Sequence, residues 1–170
     1  MRRVIVAFLV TFVLSSVICH GLDVAVLAGM PFYADGTGVV GEVSINENMN
    51  KLIGAPIYVK FGLGFQYAQG SENNYVVNLV DFGAIVGGAY YFTFDKVIMF
   101  GGLDLSLSYG NSFNDFASSG SVGVSFRPNA GVGYSLTDKL RIFVRAGYNS
   151  GLYQSYIGYV FFNLGLSLGL

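Results

Sequence analysis

The chain has 170 residues, 53% of them hydrophobic and only 11% charged, with a formal net charge of −1. That length accommodates one domain, and the near-neutral charge offers no basic field for nucleic acid. No apolar run in the body of the chain reaches the ~20 residues of a membrane-spanning helix, whereas 24 glycines, 12 tyrosines and 15 phenylalanines favour strands and interfacial aromatics.

In chain order, Met1-Arg2-Arg3 and the apolar stretch from Val4 to Ile18 read as the basic and hydrophobic regions of an export signal, too short to span a bilayer. Cleavage is expected between Cys19 and Leu22, leaving a leader of residues 1–21 and a mature chain of 22–170. The competing reading makes Cys19 the acylated cysteine of a lipoprotein, but Ile18 places a bulky residue where a small one is wanted. Without the leader the chain has neither cysteine nor histidine. Disulfides, thiol chemistry and a histidine-containing metal site then drop out, and neither cofactor nor metal is expected.

Eight strands follow from the alternation of apolar residues and from the turn residues between them. The first runs from Asp23 to Met30, a turn over Pro31–Gly38 leads to the second at Val39 to Asn46, and Glu47 to Ala55 connects to the third at Pro56 to Tyr67. Ala68 to Asn74 reads as a polar loop, and Val76 to Phe92 as a long fourth strand whose uneven alternation admits a bulge or slip. Thr93-Phe94-Asp95-Lys96 turns into strand five, Val97 to Tyr109, and Asn111 to Gly120 forms the richest loop. Strand six, Ser121 to Leu136, passes through Thr137-Asp138-Lys139 into strand seven, Leu140 to Tyr148. Asn149 to Gln154 then leads to a last strand ending at Leu170.

The faces of these strands decide the class. In Gly101-Gly-Leu-Asp-Leu-Ser-Leu-Ser-Tyr109 every second residue is large and apolar, and the residues between are glycine, acid or hydroxyl. The pattern returns at Val122–Leu136 and Leu164–Leu170. With a charged, small-residue face inside and a hydrocarbon face outside, the chain reads as an eight-stranded antiparallel transmembrane β-barrel. The expected lipid face carries Leu103, Leu105, Leu107, Val122, Val124, Leu164, Leu166 and Leu168. An even strand count places both termini on the periplasmic side.

Charge placement supports that register, which was set by the apolar residues alone. Of the seventeen charges from Leu22 onward, nine fall in turns or loops. The other eight, Asp23, Glu42, Lys60, Asp81, Asp104, Arg127, Arg141 and Arg145, all fall on the face opposite the large apolar residues. A base facing lipid at the midplane costs ~2–4 kcal/mol, which accounts for the segregation. Four acids and four bases inside so narrow a barrel should form pairs: Glu42 with Lys60, Asp104 with Arg145, Asp81 with Arg127, and Asp23 with Arg141. Glu42 and Lys60 are expected low in the barrel, and the rest of the inner face is expected to be small, as in Ser121, Gly123, Ser125, Asn129, Gly131, Gly133 and Ser135.

Other features have plainer readings. Gly36-Thr-Gly38-Val-Val-Gly41 matches a dinucleotide fingerprint in letters only, because a strand follows it and no acid stands near Lys60–Gly62. Its glycines are expected in the tight backbone of the first loop. Small barrel enzymes use a histidine base, and the single histidine, His20, sits at the leader boundary, so no enzymatic activity is expected. Phe65, Tyr67, Tyr109, Tyr148 and Tyr156 at one end and Phe92 and Tyr134 at the other read as interfacial girdles. Asp35, Glu72 and Asp115 in the loops read as an ordinary solvated rim, the competing reading being carboxylates bridged by divalent cations to anionic lipopolysaccharide.

The segment Asn129-Ala-Gly-Val-Gly-Tyr-Ser-Leu-Thr-Asp-Lys-Leu-Arg-Ile-Phe-Val-Arg-Ala-Gly-Tyr148, together with Val97–Gly110, resembles the small eight-stranded outer-membrane barrels. That group contains the outer-membrane protein A transmembrane domain and OmpX-like proteins. The resemblance implies a bacterial outer-membrane location, outer-membrane lipid and the barrel-assembly machinery as partners, and roles from structural anchor to adhesion through short loops. Such barrels finish on phenylalanine or tryptophan, whereas here Phe162 stands eight residues before Leu170. Three functions stay open at this point. They are a non-enzymatic barrel with a plugged polar lumen, a narrow channel for ions or small solutes, and a soluble lipocalin-like binder, against which the charge placement argues.

Overall fold

In the computed structural model of the chain the described residues are 22–32, 36–72, 75–113, 118–151 and 158–169. They form eight antiparallel strands: β1 (Leu22–Phe32), β2 (Gly36–Asn48), β3 (Ile57–Glu72), β4 (Tyr75–Phe94), β5 (Val97–Phe113), β6 (Ser118–Ser135), β7 (Leu140–Gly151) and β8 (Tyr159–Gly169). Each pairs with its sequence neighbours, and β1 pairs with β8 to close the barrel. Closure gives every strand a hydrogen-bonded neighbour on both sides, as hydrocarbon requires. The expected leader, Tyr156 and the rim acids Asp35 and Asp115 lie outside the described residues.

Register fixes the geometry of the interior. The row Leu22↔Glu47, Glu47↔Val59, Val59↔Gly88, Gly88↔Leu103, Leu103↔Pro128 continues in the β6–β7 register to Tyr148, then Tyr148↔Val160 and Val160↔Phe32. It returns to β1 ten residues above its start, 32 − 22. Eight strands with that stagger tilt by roughly 45° and leave an interior that side chains fill. The eight residues expected on the lipid face are all exposed on the outer wall.

Several local expectations are corrected. β3 and β4 continue through most of the expected 68–74 loop, and β5 and β6 through most of 111–120. β1 runs on through Pro31 and Phe32, and Gly36, Gly38 and Gly41 lie within β2 rather than in a loop. A Cβ at Gly38 would come within 2.2 Å of the Tyr67 carbonyl oxygen, so here glycine permits close approach of β2 and β3. The long connection after β2 holds a one-turn helix, α1 (Asn50–Ile53), closed by Gly54 at φ 69°. Asn48 starts that turn, accepting from the Asn50 N–H at 2.9 Å and from the Tyr91 hydroxyl at 2.9 Å. β4 keeps register with both neighbours without a slip, and Asp81 faces inward along with Gly83, Ile85 and Gly87.

Strand length is uneven. β3 to β6 have 16, 20, 17 and 18 residues, while β1, β2, β7 and β8 have 11, 13, 12 and 11. A closed barrel of this kind resists unfolding by detergent until heated. The folded protein is therefore expected to migrate faster unheated than boiled on a denaturing gel, and identical mobilities would contradict closure.

Candidate functional site: a charged belt across the lumen

The tilt brings charged residues from five strands to one level. Lys60, Gly87, Asp104 and Arg127 are successive partners along one hydrogen-bonded row through β3 to β6. Glu42 on β2 and Arg145 on β7 reach the same level from the opposite wall. Lys60 Nζ donates to Glu42 Oε1 at 2.9 Å and to Asp104 Oδ2 at 2.5 Å. Arg145 donates to Glu42 Oε2 at 2.7 Å through Nη2, and its Nη1 lies 3.5 Å from Asp104. Arg127 Nη1 stands 3.7 Å from Glu42 Oε2, the longest contact of the belt. With its amide oxygen turned to Arg145, Asn163 accepts from Nη2 at 2.8 Å and donates to the Phe162 carbonyl at 3.0 Å.

Glu42 therefore serves three cations at once, and its side chain is 0% exposed. The expected one-to-one pairing is corrected to a shared network of two acids and three bases. Glu42 and Lys60 meet, as do Asp104 and Arg145, but in the belt rather than at the low height expected for Glu42 and Lys60. Asp81 and Arg127 form no ion pair. Asp81 sits above the belt and accepts from the Ser108 hydroxyl at 3.2 Å. Asp23 and Arg141 do pair, below the belt, at 2.6 Å, with Arg141 also donating to the Tyr58 hydroxyl at 3.2 Å.

The inner face is bulkier than its serines and glycines suggest. Phe161 is 0% exposed inside the barrel, with the guanidinium carbons of Arg127 and Arg145 at 5.0 and 5.3 Å from its ring centroid. Such contacts favour a cation over the ring face, more so away from water. Ile85 and Leu27 are buried inward as well. Above the belt the Tyr159 hydroxyl donates to Gln66.

Three inward aromatics each stand directly across from a glycine: Phe100 from Gly131, Phe143 from Gly165 and Phe161 from Gly147. Each ring occupies the space a side chain would take, because a Cβ would lie 2.4 Å from Phe100 Cζ at Gly131 and 2.4 Å from Phe143 Cζ at Gly165. At Gly147 it would lie 2.5 Å from Phe161 Cζ and 2.6 Å from the Pro128 oxygen. Gly147→Ala is therefore expected to destabilise the fold by about 1–3 kcal/mol by displacing Phe161 from the arginines. Denaturant titration in lipid vesicles checks it, and an unchanged midpoint would refute the slot.

Parity alone could have revealed these residues. Phe143 lies between Arg141 and Arg145 on one face, and Phe161 shares a face with Asn163 and Ser167.

No protein-family model and no curated protein sequence matches the chain. Solved structures do. Neisserial surface protein A superposes with a TM-score of 0.65 at 15% identity, covering 88% of this chain and 97% of that one. Ail, the attachment invasion locus protein of Yersinia pestis, gives 0.57 at 12% identity over 88% and 99%. A major outer membrane protein from Thermus thermophilus gives 0.56 at 13% identity over 88% and 99%. At these identities the likeness is one of fold, and the fold is that of the small outer-membrane barrels.

Proposed function

We propose that the chain is a non-enzymatic, non-conducting barrel of the bacterial outer membrane that acts through the surface it presents, its lumen plugged by the charged belt. The observation that carries the plug is the set of side chains across the middle of the barrel. Glu42 is 0%, Arg145 3% and Asp104 4% exposed, with Arg145 bridging the two carboxylates beside the buried Phe161. An ion entering from either end would have to break buried pairs that water cannot replace. The exposed leucines and valines of the outer wall fit outer-membrane lipid, and the fold fits delivery by the barrel-assembly machinery. A surface role is supported by two fold neighbours whose names describe a surface protein and an attachment protein.

Planar-bilayer recording tests the plug. The protein is expected to show no steady current, with rare small openings at most. A steady, ion-selective conductance would overturn it in favour of a narrow channel. One observation favours that second reading: the Arg127–Glu42 contact at 3.7 Å is the weakest in the belt.

A further inference from the structure

Below the belt the lumen widens into a chamber of about 120 Å³. Glu42, Asp104 and Arg145 form its ceiling, and Asp23, Tyr58 and Arg141 frame its mouth toward the turn end. Side-chain exposure is 0% at Glu42 in the ceiling and 26% at Arg141 at the mouth. The chamber is thus shut above and reached from below. Between ceiling and mouth its wall sets hydrocarbon, from Ala25, Leu27, Ile98, Phe100 and Phe143, beside the polar side chains of Ser44, Asn46, Asn129 and Ser167.

Two polar atoms of residues on this wall stand apart from the ion pairs. Ser44 Oγ and Arg145 Nε are buried, and neither has a hydrogen-bond partner among the described residues. A buried hydroxyl or N–H left unpaired is costly, so a ligand that supplies an acceptor there gains by doing so. The hydrocarbon part of the wall sets the rest of the ligand's character: a cavity of roughly 150 Å³ has room for one benzene-sized ring, and Phe100 and Phe143 offer it an apolar face. A ligand bearing its own charge would lose hydration in exchange for acids and bases already paired with each other.

We propose that this chamber binds a small uncharged molecule, one ring or a short carbon skeleton carrying a single hydroxyl or carbonyl oxygen, which enters from the turn end. The hydrocarbon packs against Phe100 and Phe143, and the oxygen accepts from Arg145 Nε and Ser44 Oγ.

Phenol and toluene, equal in size and differing in the one oxygen, test it by methyl NMR titration of the full folded chain in detergent micelles. Phenol is expected to produce saturable shifts at the Leu27 and Ile98 methyls, with an affinity roughly fivefold above toluene, the worth of one net hydrogen bond. Ala25→Leu, which fills the chamber, should abolish the saturable shifts. Ser44→Ala, a milder change should the first fail to fold, should narrow the phenol–toluene ratio toward one. Shifts that stay linear, or that appear equally at the outward Leu105 and Leu164 methyls, would mean partition into detergent and overturn the site. Equal affinities for the two probes in the unmodified protein would overturn the polar anchor, and a chamber holding only ordered water, with no saturable shift, would overturn the proposal.

Discussion

Glu42→Gln is expected to destabilise the barrel by about 3–5 kcal/mol, more than loss of any other single lumen charge. The carboxylate meets Arg145 at 2.7 Å, Lys60 at 2.9 Å and Arg127 at 3.7 Å, all away from water. Once it is neutral, Lys60 and Arg145 keep Asp104, but Arg127 has no carboxylate within ion-pair distance among the described residues. A buried charge without a partner is the costly condition, far more so than the absence of the pair. Arg127→Met made in the same chain should therefore recover part of the loss, giving a positive coupling in a double-mutant cycle. Asp81→Asn, which keeps a side chain able to bond Ser108, should cost about 1 kcal/mol or less. Urea titration of folding into lipid vesicles measures the unmodified protein, both single variants of the cycle, the double variant and Asp81→Asn. Strictly additive losses at positions 42 and 127, or an Asp81→Asn effect as large as that of Glu42→Gln, would contradict the shared belt.

Leu105→Arg is expected to cost ~2–4 kcal/mol, the penalty for a cation at the bilayer midplane. Leu105 follows Asp104, so it lies at belt height on the outer wall, flanked by Val86 and Phe126 on the neighbouring strands. Its side chain is exposed there, and its cross-strand neighbours Val86 and Phe126 offer a guanidinium no acid. Ser106→Asn, one residue on and facing the lumen, adds a polar group to a polar layer and should cost less than ~1.5 kcal/mol. Folding yields in vesicles separate the two. Equal yields would mean that inside and outside are exchanged at this level.

The inside and the outside were legible because strand periodicity is two and the barrel solvates its faces oppositely. Asp104, Leu105 and Ser106 carry that information without reference to any other strand. The partners of each charge were less legible, because they depend on stagger between strands. Heights counted from the turns place Glu42 and Lys60 near the periplasmic end, while the ten-residue climb around the barrel lifts them to the level of Arg145. Sharing, rather than pairing, follows from the narrow lumen, which lets one carboxylate touch side chains from β3, β6 and β7 at once. Asp23 with Arg141 was legible as a pair because only β8 separates their strands. Phe161 and Phe143 are less legible because a serine- and glycine-rich β6 suggests a uniformly small inner face, whereas the glycines that admit these two rings, Gly147 and Gly165, lie on β7 and β8.

The unequal strands have a consequence at the loop end. An apolar band is about 25 Å tall, and a tilted strand climbs ~2.4 Å per residue along the axis, so the 11 residues of β1 or β8 suffice to cross it. β4, with 20 residues, has enough for roughly another 20 Å. At the far end of β6 the residues from Ser118 to Val122 are exposed in succession, without the inside–outside alternation that begins below them. There the sheet has water on both sides, and the Ser118 hydroxyl donates across to Asn111 at 3.1 Å to hold it together. The barrel is thus cut obliquely, like a quill. The wall of β5 and β6 stands above the shorter strands, and its far end carries the hydroxyls and amides of Asn111, Ser112, Ser118 and Ser119 beside the exposed ring of Phe113.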